Sequence, residues 1–600
     1  MIFLVSQALS QISLNGSFER YNRTYFLPAL WSVSGDSQIS IDTTIAKHGK
    51  ASLKIASNRI GRDSIRRYYP SGLATAHEIP ISIVKNKRCR ISGYIKTQDV
   101  RADSNTQRVG FFVKMYNKNG ENFYVHVSDS STFRRTNDWQ FHSVNFSVPD
   151  SAVMLLWGAA FIGSGTVWYD NLTVTVDGKV LDDPEIAPPS PQETRWIQQN
   201  VKLLNSDGIS QTNIALTTLK KESNTAKIIA LGEATHGTSE FFSMKHRLLE
   251  YLANETNVGV FAIEAYMPEA YKVNDYVLHG KGTPEDCVYG MQFWTWRNEE
   301  VVNLIKWMKE YNDNHAKKIR FWGFDMQSSQ QARENIRTFV SQTDSAFLPR
   351  YNNLNNIIEN IENTMNSGML PDSLIQVAIT QAKETYQILS ERAKQYAQYA
   401  PTSEIQRIIQ DCRIVIQSLT ILRLSERESN TYRDSCMAEN IRWIASQTKP
   451  DERIVLWAHN GHIMKSPQTE GITMMGEYLN KMFGKQYYTI GFSCGSGSYT
   501  AYNFDSSKVV RTNRLTEPHT GTIESYFQSA NISSGLFLTK NITKTSPVYF
   551  WSTTPLELRS IGSVAEKQQY HVSLFPKYFD AFIYIANTTA SKLLPPRQKR

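Results

Sequence analysis

Ile228-Ile229-Ala230-Leu231-Gly232-Glu233-Ala234-Thr235-His236-Gly237 is a short apolar run that stops at a glycine and turns at once into residues able to do chemistry. The same pattern returns three times. Val258-Gly259-Val260-Phe261-Ala262-Ile263 runs into Glu264, Ile319-Arg320-Phe321-Trp322-Gly323 leads to Asp325, and Ile454-Val455-Leu456-Trp457-Ala458 is followed by His459-Asn460-Gly461-His462. A fifth run, Tyr487-Tyr488-Thr489-Ile490, leads to Gly491 and a glycine-serine stretch ending near Tyr499. Strands buried on both faces read as short continuous apolar runs. With amphipathic helical stretches between them they make βα units, so residues 197–600 are expected to form an α/β domain with a mostly parallel sheet. Ligands of such sheets bind beyond the carboxyl ends of the strands. Glu233, Glu264, Asp325 and His459 should therefore converge on one rim. A single ending of this kind reads as a helix cap or a surface residue; four together point to a shared site.

Working outward, the alternation stops between about 330 and 447. Long stretches at helical spacing take over (Leu354–Met365, Leu374–Ala397, Ile405–Leu424), which predicts a large helical insertion with solvated Gln, Asn and Glu faces. Upstream, Pro184, Pro188, Pro189 and Pro191 mark residues 179–196 as a linker. Before it, residues 14–178 show short alternating runs with polar turns: Ala51–Ile55, Arg90–Lys96, Val109–Tyr116, Trp139–Val148, Val153–Ile162 and Thr166–Val176. These predict an all-β sandwich. His48, His77, His126 and His142 fall in it and read as surface or turn residues. The fold expected is thus multidomain, an all-β sandwich followed by the α/β domain. Residues 1–13 are similar to the back half of a secretory leader, without its basic start. That reading implies a secreted or periplasmic protein. A plain N-terminal strand would instead suit a cytoplasmic one.

Composition excludes several classes. The net charge of +9 is spread over 600 residues, with one basic cluster at Arg597-Gln598-Lys599-Arg600, so nucleic acid is not an expected partner. Cys89, Cys287, Cys412, Cys436 and Cys494 are odd in number and make no C-x-x-C pair, which encodes neither a zinc-thiolate site nor a disulfide framework. No apolar run approaches the ~18 residues of a membrane span.

The expected rim offers His236, His459, His462, Glu233, Glu264 and Asp325. A neutral imidazole suits general-base work near neutral pH, and a neighbouring carboxylate fixes its tautomer. Gly232–Phe241, Ala262-Ile263-Glu264-Ala265, Phe293–Val301, Gly323-Phe324-Asp325, Arg433-Asp434, Met437-Ala438-Glu439-Asn440 and Trp457–His462, in that order and spacing, resemble the erythromycin esterase family over about Trp196–Leu594. The resemblance implies that His236 activates water, that Glu233 supports it, and that Glu264, His459 and His462 complete the catalytic set. It carries Arg297 over as a further catalytic residue. It implies hydrolysis of a macrolide lactone or related ester without a covalent intermediate, the oxyanion held by His459, Arg297 or the Asn460-Gly461 turn. Asp325, Tyr266, Asn460 and Trp294 are the expected substrate contacts. Trp296, Trp307 and Trp322 read as core, and His246 as structural. Leu14–Glu19, His48–Leu53 and Gly165–Leu172 resemble jelly-roll carbohydrate-binding modules, which implies a glycan as a further partner.

Two rival chemistries use the same stretch. Gly491-Phe492-Ser493-Cys494-Gly495 has the spacing of a nucleophile elbow, but glycine-rich, β-like sequence follows where a helix is needed, so a substrate-facing loop is expected instead. His459-x-x-His462 with His236, Glu233 and Glu264 could hold a divalent metal for hydrolysis of another ester or amide. The two histidines sit in a glycine-containing turn rather than at i, i+4 on a helix, so no cofactor is expected. A non-catalytic surface protein that binds glycan and ligand is the alternative outside enzymology.

Overall fold

The computed structural model describes residues 14–596, apart from 36, 59–71, 77–78, 102–107, 119–121, 128–132, 134, 182–185, 205–212, 366–370, 467–471 and 505–506. The leader reading, His77 and the basic tail lie outside the described residues.

Two antiparallel sheets form the first domain. One runs Arg135–Ser147, Arg88–Arg101, Ser164–Val176, Ser52–Ser57, Gln38–Asp42; the other runs Trp31–Ser34, Gly72–Ala76, Met154–Ile162, Arg108–Tyr116, Asn122–Val127. Period-2 alternation aims Leu53, Ile91, Ile95, Phe111, Val113, Trp157 and Tyr169 into one shared core. The same alternation corrects the reading of His142. It faces inward with Val144 and Phe146, half-buried, its ring 5.3 Å from Phe133 and 5.8 Å from Phe111.

The linker is shorter than its prolines suggest. Lys179–Val180 still pairs with the preceding strand, and a helix starts at Pro191. Proline costs nothing at a first helical position, where its missing N–H would be unpaired anyway. Ser190 and Glu193 close a capping box around it.

The second domain is built on a sheet ordered Val201–Leu203, Ser534–Leu538, Ala581–Thr588, Tyr487–Tyr502, Ile228–Leu231, Arg453–Trp457, Val258–Tyr266, Arg320–Asp325. From Ala581–Thr588 to Arg320–Asp325 every neighbouring pair is parallel. Ser534–Leu538 and Val201–Leu203 add an antiparallel edge. The sheet is therefore mixed. Alternate residues of the central strands feed two separate cores. Ile228, Ala230, Val260 and Leu456 face one; Ile229, Leu231, Phe261 and Val455 face the other. Both faces are covered, which is why these strands read as unbroken apolar runs.

Tyr487–Tyr502 corrects the loop expected after Ile490. It stays a strand through its glycines, pairing with Ala581–Thr588 up to Gly497 and with Val510–Arg514 beyond. Gly497, at φ +120°, needs to be glycine, since a Cβ there would lie 2.0 Å from the Thr588 carbonyl oxygen. Helices Gln330–Thr343, Leu348–Met365, Asp372–Glu391, Thr402–Thr420 and Glu426–Ser446 pack against the first of the two cores.

Candidate active site

Glu233 follows the central strand Ile228–Leu231 and is completely buried. Its Oε1 meets His236 Nδ1 at 2.7 Å. Its Oε2 accepts the Trp457 indole N–H at 2.8 Å and the ammonium of Lys245, a fully buried lysine on helix Ser239–Glu255. The Lys245 Nζ also lies 4.2 Å from the Trp457 ring centroid. Burial alone would raise the Glu233 carboxyl; Lys245 and His236 outweigh it and hold it below the usual range. Lys245 is pushed down to about 8 by the same burial, with Glu233 opposing. The ionised carboxylate fixes the proton of His236 on Nδ1, so Nε2 carries a lone pair.

His459 stands 5.1 Å from His236, ring centroid to ring centroid. It caps a one-turn helix, Asn460–Ile463, in place of the turn expected there. Its Nδ1 accepts the Gly461 N–H at 3.1 Å, which leaves the ring proton on Nε2. That Nε2 is buried and has no hydrogen-bond partner among the described residues. Burial, with the charges of His236 and His462, pushes His459 down to about 3, so it is a neutral donor across the working pH range.

The third group is locked. Glu264 accepts the His459 backbone N–H at 3.1 Å and Arg433 Nη2 at 2.9 Å. Arg433 also donates to both oxygens of Asp325, at 3.1 and 2.9 Å. His462 Nδ1 lies 2.8 Å from Asp434, and its Nε2 lies 3.2 Å from Arg433 Nη1 and 3.4 Å from Glu264. Burial would lower His462, but Asp434 and Glu264 raise it overall. In either protonation state both ring nitrogens are engaged. Burial would likewise raise Glu264; His462 and Arg433 keep its carboxyl well below the usual range.

The convergence of Glu233, Glu264, Asp325 and His459 is thus real in three dimensions, while several individual roles change. Asp325 is fully buried and saturated by Arg433, Met326 N and Gln327 Nε2, so it supports Arg433 instead of meeting substrate. Asn460 is also buried; its amide clips both the N–H and the carbonyl of Phe492, fastening the His459 turn to the next strand. Arg297 donates to the Gln292 carbonyl, and none of its hydrogen bonds reaches the rim. The cation hydrogen-bonded to the rim carboxylates is Arg433. Trp294 is half-buried in the short helix Trp294–Trp296, and the tryptophan that packs under the site is Trp296, 5.5 Å from Trp457. Tyr266 is half-buried against Phe293, 4.3 Å away between ring centroids, and faces Asp325 in the strand register. Ser493 is buried within a strand with its hydroxyl given to Glu524, so no nucleophile is presented.

Sequence reading missed the roles of Lys245, Arg433, Asp434 and Trp457. Arg433-Asp434 stands among the motifs of the family resemblance, but the carboxylate partners of Arg433 lie 169 and 108 positions away. Lys245 had no signal at all, since a lysine on an amphipathic helix reads as solvated. No group of three His, Cys, Asp or Glu able to hold a metal occurs among the described residues. Glu264 and Asp325, the carboxylates best placed for one, already bind the Arg433 guanidinium.

A family model described as erythromycin esterase matches residues 254–588. The chain belongs to the erythromycin esterase family. The match takes in Glu264, Asp325, Arg433, His459 and His462, and begins after Glu233 and His236. The Bacillus subtilis protein YbfO is 26% identical over 428 residues, covering 66% of this chain and 92% of that protein. An Escherichia coli erythromycin esterase type II is 23% identical over 403 residues, covering 63% and 93%. A crystal structure of a Bacillus cereus protein shares the fold with a TM-score of 0.60 at 24% identity, covering 67% of this chain and 99% of that one. Family membership makes the chain a hydrolase of the esterase type at the level of the family.

Proposed function

We propose that this chain hydrolyses an ester or lactone by direct attack of a water molecule activated by His236, with a macrolide lactone as the leading substrate. The observation that carries the reading is the pairing of complementary imidazoles. His236 presents a basic Nε2 because Glu233 holds its other nitrogen, and His459 presents an unpartnered Nε2–H because Gly461 holds its other nitrogen. One can take a proton from water while the other donates to the oxygen that becomes negative. The hydroxide adds to the carbonyl, His459 stabilises the tetrahedral oxyanion, and the imidazolium of His236 returns its proton to the departing alkoxide. His462 is not free for that last step. Arg433 and His462 supply a fixed positive environment under Glu264. Tyr266 lines the substrate side of the rim, and the sandwich would hold a glycan and keep the enzyme close to it.

The test is incubation with a panel of macrolides and nitrophenyl esters, read by mass spectrometry for a gain of one water, with and without a chelator. Hydrolysis insensitive to the chelator is expected. Activity abolished by the chelator and restored by a divalent cation would favour the metal-dependent alternative. No water gain on any of these esters or lactones would overturn the reading.

A further inference from the structure

Glu557 lies outside the rim, on the strand Leu556–Arg559 of a hairpin completed by Tyr570–Ser573, and its side chain is fully buried. One carboxylate oxygen accepts the backbone N–H of Leu30, in the sandwich, at 3.0 Å. The other lies 2.8 Å from His519 Nε2 in the α/β domain. Leu30 is itself held in the left-handed region, at φ +66°, and is buried in the sandwich core next to Trp31. The anchor is therefore a rigid part of the first domain, not a tether. Val572, on the opposite strand of the hairpin, packs against the same core. Two residues after the strand, Ile561 N–H donates to the Ala234 carbonyl at 2.7 Å, inside the loop that carries Glu233 and His236. Within the strand, the fully buried Arg559 donates to the carbonyls of Cys494, Gly495 and Thr516 at 3.1, 2.6 and 2.7 Å, which ties the hairpin to the sheet.

From this continuity we infer that the sandwich is a working part of the active site. Glu557 acts as a positioning residue: it clamps the sandwich to the hairpin that supports the Ala234 loop, and so holds His236 in its catalytic setting. A freely tethered binding module would need none of these contacts, and domains joined only by a linker move relative to each other by default. A buried carboxylate that bridges two domains resists that motion, since pulling them apart leaves one carboxylate oxygen and the Leu30 N–H without partners.

The full-length chain carries the experiment, by hydrogen exchange and by hydrolysis of nitrophenyl acetate. Glu557→Ala should raise amide exchange in residues 234–237 by about tenfold while leaving Ile228–Leu231 unchanged. It should lower kcat by about fivefold with KM unchanged. Glu557→Gln keeps an acceptor for Leu30 and should restore both readouts to near wild type. If the alanine variant does not fold, His519→Asn removes one of the two anchors and should give the same pattern at smaller amplitude. Faster exchange confined to the hairpin and the sandwich edge, or loss of kcat unrescued by glutamine, would overturn the coupling. The exchange arm needs no substrate, so a failure of the hydrolytic reading would leave it intact and distinguishable.

Discussion

His236 and His462 each sit against buried carboxylates, within one cluster, yet they are built for different work. Glu233 contacts His236 through one nitrogen and satisfies its own remaining oxygen with Lys245 and Trp457, so among the described residues the outer nitrogen of His236 is left free. His462 has Asp434 on one nitrogen and Arg433 with Glu264 on the other. The difference lies in the number of partners, not in residue type. A histidine with one engaged nitrogen is a catalyst in waiting; one with both engaged is a structural charge. A third acidic cluster completes the contrast. Asp411 and Glu269 are buried with neutral hydrogen-bond donors, Tyr271 and Asn335 for Asp411 and Ser328 for Glu269, and burial pushes both up to about 7. Where a cation is hydrogen-bonded, at Glu233 and Glu264, the carboxyl goes down instead.

The largest effect should come from breaking the free histidine. His236→Gln is expected to lower kcat by about a thousandfold or more while the unfolding midpoint stays near wild type, as checked by ester hydrolysis and denaturant titration. Lys245→Met leaves Glu233 as a buried charge without its cation. It should cost about 3–5 kcal/mol in urea unfolding and reduce turnover as well. His462→Gln should show the opposite balance, losing about 1–3 kcal/mol of stability while keeping kcat within about tenfold. Equal loss of kcat in the His236 and His462 variants would erase the distinction between them.

The cluster without a hydrogen-bonded cation, where the nearby charges of Arg407 and Lys272 do not outweigh burial, gives a pH prediction with a definite sign. A raised carboxyl means that the folded state keeps a proton the unfolded chain has already released between about pH 4 and pH 7. Its contribution is therefore present at pH 4 and lost as the pH rises through 7. Asp411→Asn mimics the protonated form, so its melting temperature should match wild type at pH 4 and exceed it by about 4 °C at pH 8. The smallest effect is reserved for the discarded nucleophile. Ser493→Ala should leave ester hydrolysis within about threefold of wild type, because the hydroxyl is buried against Glu524 and faces no substrate.

How much of this was legible in the sequence follows from how local each signal is. The strand ends at Glu233, Glu264, Asp325 and His459 could be read because an apolar run and its polar terminus are contiguous, and parallel strands bring those termini to one side. Their partners could not. Arg433 reaches Glu264 only because the last insertion helix packs across the sheet's carboxyl end, which no spacing encodes. Asp325 and Asn460 share the residue types of a binding site, and only their saturation by Arg433 and Phe492 shows that they are supports. The antiparallel edge carries no mark in the sequence because Ser534–Leu538 is as apolar as the parallel strands of the same sheet.

Direct attack by water is the central claim, and a single turnover tests it. With enzyme in excess over a nitrophenyl ester in oxygen-18 water, the acid released in the first turnover should carry one labelled oxygen, and the quenched protein should keep its unmodified mass. An acyl adduct on the quenched protein, or a first-turnover acid without label, would contradict the assignment of His236 as the base that activates water.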